Sequence, residues 1–120
     1  MIVEKRTYTL KIGKVNDYLA LYHAEGLEPQ TRHLGQPFGY YFSETGELNQ
    51  IVHMWAYADA NDRAARRAAL YADTEWRQVV PKLFDLIEHM ESVLLNPAFF
   101  AEPQPCKVIL WDTPHARKSI

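Results

Sequence analysis

The sequence predicts an α+β domain in which one antiparallel sheet carries its helices on a single face. Stretches of two-residue apolar period alternate with stretches of helical period in the order β-α-β-β-α-β. The two middle strands are joined by a short polar glycine turn, Glu44-Thr45-Gly46-Glu47, as a hairpin requires. The third of the strands, LNQIVHMWAY at 48–57, is apolar on both faces, so one layer of helices leaves its other side to be covered.

Each element has its own signal. Residues 2–12 form the first strand, with Ile2, Glu4, Arg6, Tyr8, Leu10 and Ile12 on one face and Val3, Lys5, Thr7, Thr9 and Lys11 on the other. Gly13 ends it. Over 14–28, Val15, Tyr18, Leu19 and Tyr22 recur at the spacing of one helix face, and Gly26 and Pro29 supply stop signals. Residues 38–42 and 48–57 are the hairpin strands. Asp59 offers a helix N-cap, Asp62 adds negative charge to the first turn, and the alanine-rich run to Ala72 has strong helix propensity. A second helical stretch begins at Asp73 or Thr74 with Trp76, Val79, Val80, Leu83, Phe84 and Ile87 as its apolar stripe. Pro81 lies inside that stripe, where its missing amide calls for a kink or a fresh helix start. A last strand is expected over 90–96, closed by Pro97.

This is the ferredoxin-like β-α-β-β-α-β sandwich, expected to occupy residues 1–100 as one domain. Residues 101–120 read as a C-terminal tail or an exchanged arm, and only 107–111 has a pattern that could pair. An uncovered sheet face bearing large aromatics would exceed the apolar patch that monomers tolerate, so a homodimer packed sheet to sheet is expected.

Composition narrows the function classes. The 120 residues are 48% hydrophobic and 23% charged, an ordinary globular balance with room for a core. A net charge of −2 argues against a nucleic-acid partner, and no apolar run is long enough to span a membrane. Glu4, Lys5 and Arg6 stand where a signal peptide needs its apolar segment, so a cytoplasmic location is the expectation. Cys106 is the single cysteine, and the five histidines lack metal-ligand spacing, so no metal is expected, although one histidine would suffice for a haem. The glycines never form a phosphate-cradling loop and the serines lack a nucleophile elbow, so no cofactor is expected.

Five short blocks, ExRTYxLxxG (4–13), GxLNQxVHxWxY (46–57), RxxxR (63–67), Trp76 and LNPxFF (95–100), together resemble the NIPSNAP family within the dimeric α/β-barrel superfamily. The resemblance covers roughly the first hundred residues in the right order. It implies a ferredoxin-like subunit whose sheet pairs with its mate into a barrel. It also implies kinship with enzymes of monooxygenase, haem-degrading and isomerase type. The compact chain looks more like a bacterial member than like the eukaryotic ones, which are linked to mitochondria and vesicle traffic. Such kinship does not transmit a reaction.

Candidate site residues follow. His53, with Glu4 and Arg6 on a strand expected to neighbour its own, makes a polar patch in an apolar setting. Such a patch must hydrogen-bond internally or to a ligand. His53 is then a candidate general base or acid, with Arg6 and Glu4 as catalytic partners. The alternative is a core histidine beside a Glu-Arg pair that fixes strand register across the dimer. Tyr8, Tyr40, Trp55 and Tyr57 line a pocket for a flat apolar ligand, or else are core and interface packing. Arg63 and Arg67, one helical turn apart, grip a carboxylate or phosphate, or else pair with Asp59, Asp62, Asp73 or Glu75. Two functions emerge: a small-molecule-binding protein or monooxygenase-like enzyme, and a non-catalytic adaptor.

Overall fold

The computed structural model describes residues 1–103. The segment expected to pair at 107–111, Cys106 and most of the expected tail lie outside the described residues. The elements run β1 (Ile2–Leu10), α1 (Val15–Leu21), a π-helical turn (Tyr22–Gly26) and α2 (Leu27–Leu34). They continue through β2 (Gly39–Phe42), β3 (Gln50–Tyr57), α3 (Ala60–Ala72), α4 (Thr74–Phe84) and β4 (Ile87–Leu95). The four strands form one sheet in the order β2-β3-β1-β4 with every neighbour antiparallel, the ferredoxin-like topology.

The expected N-cap at Asp59 is in place, its carboxylate accepting from the Asp62 amide at 2.7 Å. Asp73 caps α4 the same way through the amides of Glu75 and Trp76, and also accepts from Arg32 and His33 at the end of α2. That single carboxylate joins two helices distant in sequence.

The first strand ends at Leu10 rather than at residue 12, where the chain turns with the Lys14 amide bonded to the Lys11 carbonyl. Other boundaries also depart from the sequence reading, each for a local reason. The first helix does not stop at Gly26 or Pro29. Gly26 is buried, and a Cβ on it would lie 2.9 Å from the Tyr22 ring and 3.5 Å from Trp76, so the glycine admits aromatic rings rather than ending the helix. Pro29 follows directly on the π-helical turn, where the wider winding (the Leu27 amide bonds the Tyr22 carbonyl five residues back) already interrupts the regular ladder. The helix ends at Gly35, whose φ of +81° and bond to the Thr31 carbonyl make it the C-terminal cap. β3 begins at Gln50 because Asn49 is left-handed (φ +61°), its carbonyl accepting from Leu10 and its side chain from Gly13. α4 runs through Pro81 without restarting and ends one turn later. β4 starts at Ile87, earlier than expected, beyond a register shift in β1 at Thr9/Leu10.

Burial alternates strictly along β3: Ile51, His53, Trp55 and Tyr57 are buried against the helices, and their neighbours Gln50, Val52, Met54 and Ala56 are half-buried on the outer face. Tyr8, Tyr40, Trp55 and Tyr57 all share the helix-facing side. The outer face carries Tyr41, Val52, Met54, Ala56, Val93 and Leu95 among polar neighbours. The expectation of several large aromatics on the uncovered face is therefore corrected, because the aromatic register points under the helices.

Candidate functional site

The sheet register places Tyr40, His53, Arg6 and Ser92 in one row across all four strands. Glu4 sits two residues along β1 from Arg6 and is fully buried. Its carboxylate accepts from Arg6 Nη1 (2.8 Å), Arg63 Nη2 (2.9 Å) and Nε (3.1 Å), Ser92 Oγ (2.6 Å) and Tyr57 Oη (3.3 Å). Burial by itself would raise this carboxyl, but hydrogen bonds from Arg63, Ser92 and Arg6 win and bring it down to about 2. An ionised Glu4 thus ties β1 to β3, β4 and α3 from within one subunit. The Glu4–Arg6 pair is made within one chain.

His53 lies in the same row without bonding to Glu4 or Arg6. Its Nδ1 accepts from the Trp55 indole at 2.7 Å, which puts the proton on Nε2. That Nε2 is buried and has no hydrogen-bond partner among the described residues. Burial, then the Arg6 charge, lowers the imidazole to about 3, so it is neutral at physiological pH. The ring stacks on Tyr40 (4.7 Å between centroids) and meets the edge of Tyr8 (4.8 Å). Tyr40 stacks in turn on Tyr22, whose hydroxyl donates to Gln30, and its own hydroxyl lies 3.0 Å from that of Tyr18.

Beside this aromatic ladder, the helices stop short of β4. Met90 and Leu94, on its helix-facing side, are 38% and 51% exposed. Arg6, Tyr8, Gln30, Arg67 and Trp76 surround a cavity of about 20 Å3 there, whose outer rim is Tyr71, Phe84 and Met90. Arg6 Nε donates to the Tyr8 hydroxyl at 2.8 Å, and Arg67 donates to the exposed Tyr71 hydroxyl at 3.0 Å. The buried Trp76 indole N–H has no partner among the described residues. Two larger hollows of about 310 and 400 Å3 open around Phe38 and Pro103, and neither touches Glu4, Arg6 or His53.

The structure brings Glu4, Arg6 and Arg63 into one network, with Tyr57 on its border. Tyr8 joins that network to Arg67 and the cavity, while Tyr40 and Trp55 flank His53 away from it. Among the described residues neither Arg63 nor Arg67 pairs with Asp59, Asp62, Asp73 or Glu75: their neighbour Arg66 takes Asp62 at 2.9 Å, Arg32 takes Asp73 and Glu75, and Arg63 turns inward to Glu4. Sequence reasoning missed Tyr18, Tyr22, Gln30 and Ser92, and left Trp76 as plain core. Ser92 was within reach, since it alternates with Met90 and Leu94 on β4, whereas Gln30 lay beyond the wrongly placed helix end. Among the described residues there is no cluster of metal-ligating side chains, and no helix is long and apolar enough to cross a membrane.

Known proteins match this arrangement at two levels. A solved NIPSNAP family protein of unknown function from Agrobacterium tumefaciens is 48% identical with a TM-score of 0.82, over 84% of this chain and 91% of its own. Protein NipSnap homolog 2 of Danio rerio is 33% identical over 80% of this chain, which spans only 33% of that longer protein. An antibiotic biosynthesis monooxygenase shares the fold at 19% identity and a TM-score of 0.58, over 82% of this chain and 99% of its own. The NIPSNAP family profile itself matches residues 3–102, which takes in the described helices, the described strands apart from Ile2 and the whole Glu4 network, and the chain belongs to the NIPSNAP family.

Proposed function

We propose that the chain binds a small apolar or aromatic molecule in the cleft between its sheet and helices α3 and α4, as one half of a homodimer. The observation that carries this is the unpartnered Trp76 indole N–H, buried at a cavity whose rim is apolar and exposed. A buried donor left without an acceptor costs about 1–3 kcal/mol, which a ligand acceptor would recover. The His53 Nε2–H is also unpartnered among the described residues, but His53 packs behind the Tyr8 ring and does not line this cavity, so it adds no ligand contact. Binding is favoured over general-base catalysis because the His53 lone pair already accepts the Trp55 proton. An adaptor role draws no comparable support, since Arg63 is committed to Glu4 rather than to a surface.

The test is extraction of the purified protein with organic solvent, followed by mass spectrometry, for the wild type and for Trp76→Phe. The wild type is expected to release a low-mass apolar compound that the variant retains poorly, the variant keeping its circular dichroism spectrum. A clean extract, together with an unfolding temperature unmoved by a panel of apolar acceptor compounds, would sink the reading.

A further inference from the structure

The ionisable groups around the cleft do not balance. Arg6 and Arg63 share the single carboxylate of Glu4, and Arg67 makes no ion pair among the described residues. Three guanidinium groups against one carboxylate leave a surplus of two positive charges. The remaining neighbours, Tyr8, Gln30, Ser92 and Trp76, are uncharged, and Tyr8 is held neutral by burial. The Arg6 side chain is 11% exposed, so its charge acts in a medium less polar than water.

We propose that the molecule bound in the cleft is a carboxylic acid with an apolar body, its head group held between Arg6 and Arg67. This rests on the small-molecule reading above. Arg6 Nε and Nη1 are taken by Tyr8 and Glu4, which leaves Nη2 to donate to one carboxylate oxygen while Arg67 donates to the other, and the Trp76 N–H lines the same cavity as a further donor. Phenols, alcohols and amines would leave the excess charge unanswered. A cavity of about 20 Å3 admits roughly one water-sized atom beyond the arginines, so the head group sits at its mouth with one oxygen directed inward, which a planar carboxylate does with less bulk than a tetrahedral phosphate. The apolar body would lie outward over Tyr71, Phe84 and Met90, each more than a third exposed.

Calorimetric titration at low salt tests this on the full chain, with 2-naphthoate and decanoate as probes. Their uncharged counterparts are 2-naphthylmethanol and decan-1-ol, with 2-naphthyl phosphate as the tetrahedral anion. The carboxylates are expected to bind at least about tenfold more tightly than the alcohols and than the phosphate. Arg67→Ala should weaken the carboxylates about tenfold and leave alcohol affinity unchanged. Its only side-chain hydrogen bond among the described residues goes to an exposed tyrosine, so the variant should fold, and the unfolding midpoint checks that. Alcohols binding as well as acids, or Arg67→Ala without effect on the acids, overturns the carboxylate assignment while the cleft stands. A preference for the phosphate overturns it likewise. Wild-type protein that takes up none of these probes removes the cleft reading and the carboxylate together.

Discussion

Glu4 is the residue on which the most bonds converge. Replacing it by Gln would leave the guanidinium of Arg6 buried and that of Arg63 partly buried without a counter-charge. Glu4→Gln is expected to destabilise the fold by about 3–5 kcal/mol in urea unfolding. His53 and Glu4 both contribute to the acid response, alongside the lowered carboxyls of Asp62 and Asp73. The folded His53 value, about 3, lies below the ordinary 6.5, so the unfolded chain takes up this proton first and stability falls as the pH drops from 6.5 towards 3. Glu4 adds a second loss from 4.5 down to about 2, since its ionised form is the one the fold favours. In His53→Gln the decline between 6.5 and 4.5 should flatten, measured as unfolding free energy against pH, while the Glu4 limb remains. An unchanged slope there would show that His53 is not buried as described. The two-residue period put Glu4 and Arg6 on one face of β1, and His53 with Ile51, Trp55 and Tyr57 on one face of β3, from the sequence alone; that the two faces coincide comes from the pairing register. The partners of these side chains were not legible, because a helix's rotation about its own axis, which turns Arg63 inward and Arg66 outward, depends on the packing of the whole layer.

Among the elements, the π-helical turn does the most with the least sequence. It lets one continuous helical arm present Tyr18 and Tyr22 to Tyr40 and still bury Gly26 beneath Trp76. A glycine-to-alanine change in a helix normally gains up to about 1 kcal/mol. Here the added methyl would meet a Tyr22 ring stacked on two tyrosines and anchored at Gln30, so it cannot swing away. Gly26→Ala is therefore expected to lower stability by about 1–3 kcal/mol in thermal or urea unfolding, and a gain would show that the ring is free to move. The stop signals read at Gly26 and Pro29 were sound as local chemistry but were outvoted by tertiary contact. The N-cap at Asp59, and the start of α4 at Asp73 or Thr74, were legible because a helix start is decided within a single turn.

For the whole molecule, the question is what lies against the outer face of the sheet. The helices occupy one side only, and Val52, Met54, Ala56, Val93 and Leu95 remain on the other. Aromatic excess does not carry the case for a second subunit. The case rests on this aliphatic stripe, with Lys5, Thr7 and Glu91 around it. Sedimentation at micromolar concentration should give twice the chain mass, and Met54→Arg, on a half-buried position of that face, should give a folded single subunit. Wild-type protein running as one chain would end the homodimer reading without touching the cleft, which is complete within a single subunit.

β4 closes one side of the sheet, and among the described residues no other strand lies beyond it. Its unpaired backbone groups could accept any extended peptide, and its second half, Ser92-Val93-Leu94-Leu95, has no charge to discourage one. Protection comes from Glu88 and Glu91 upstream and from Pro97 just past its end. Exchanging both glutamates for uncharged residues should therefore turn a well-behaved preparation into one that seeds fibres, a hazard arising from the same bare margin that keeps the cleft open.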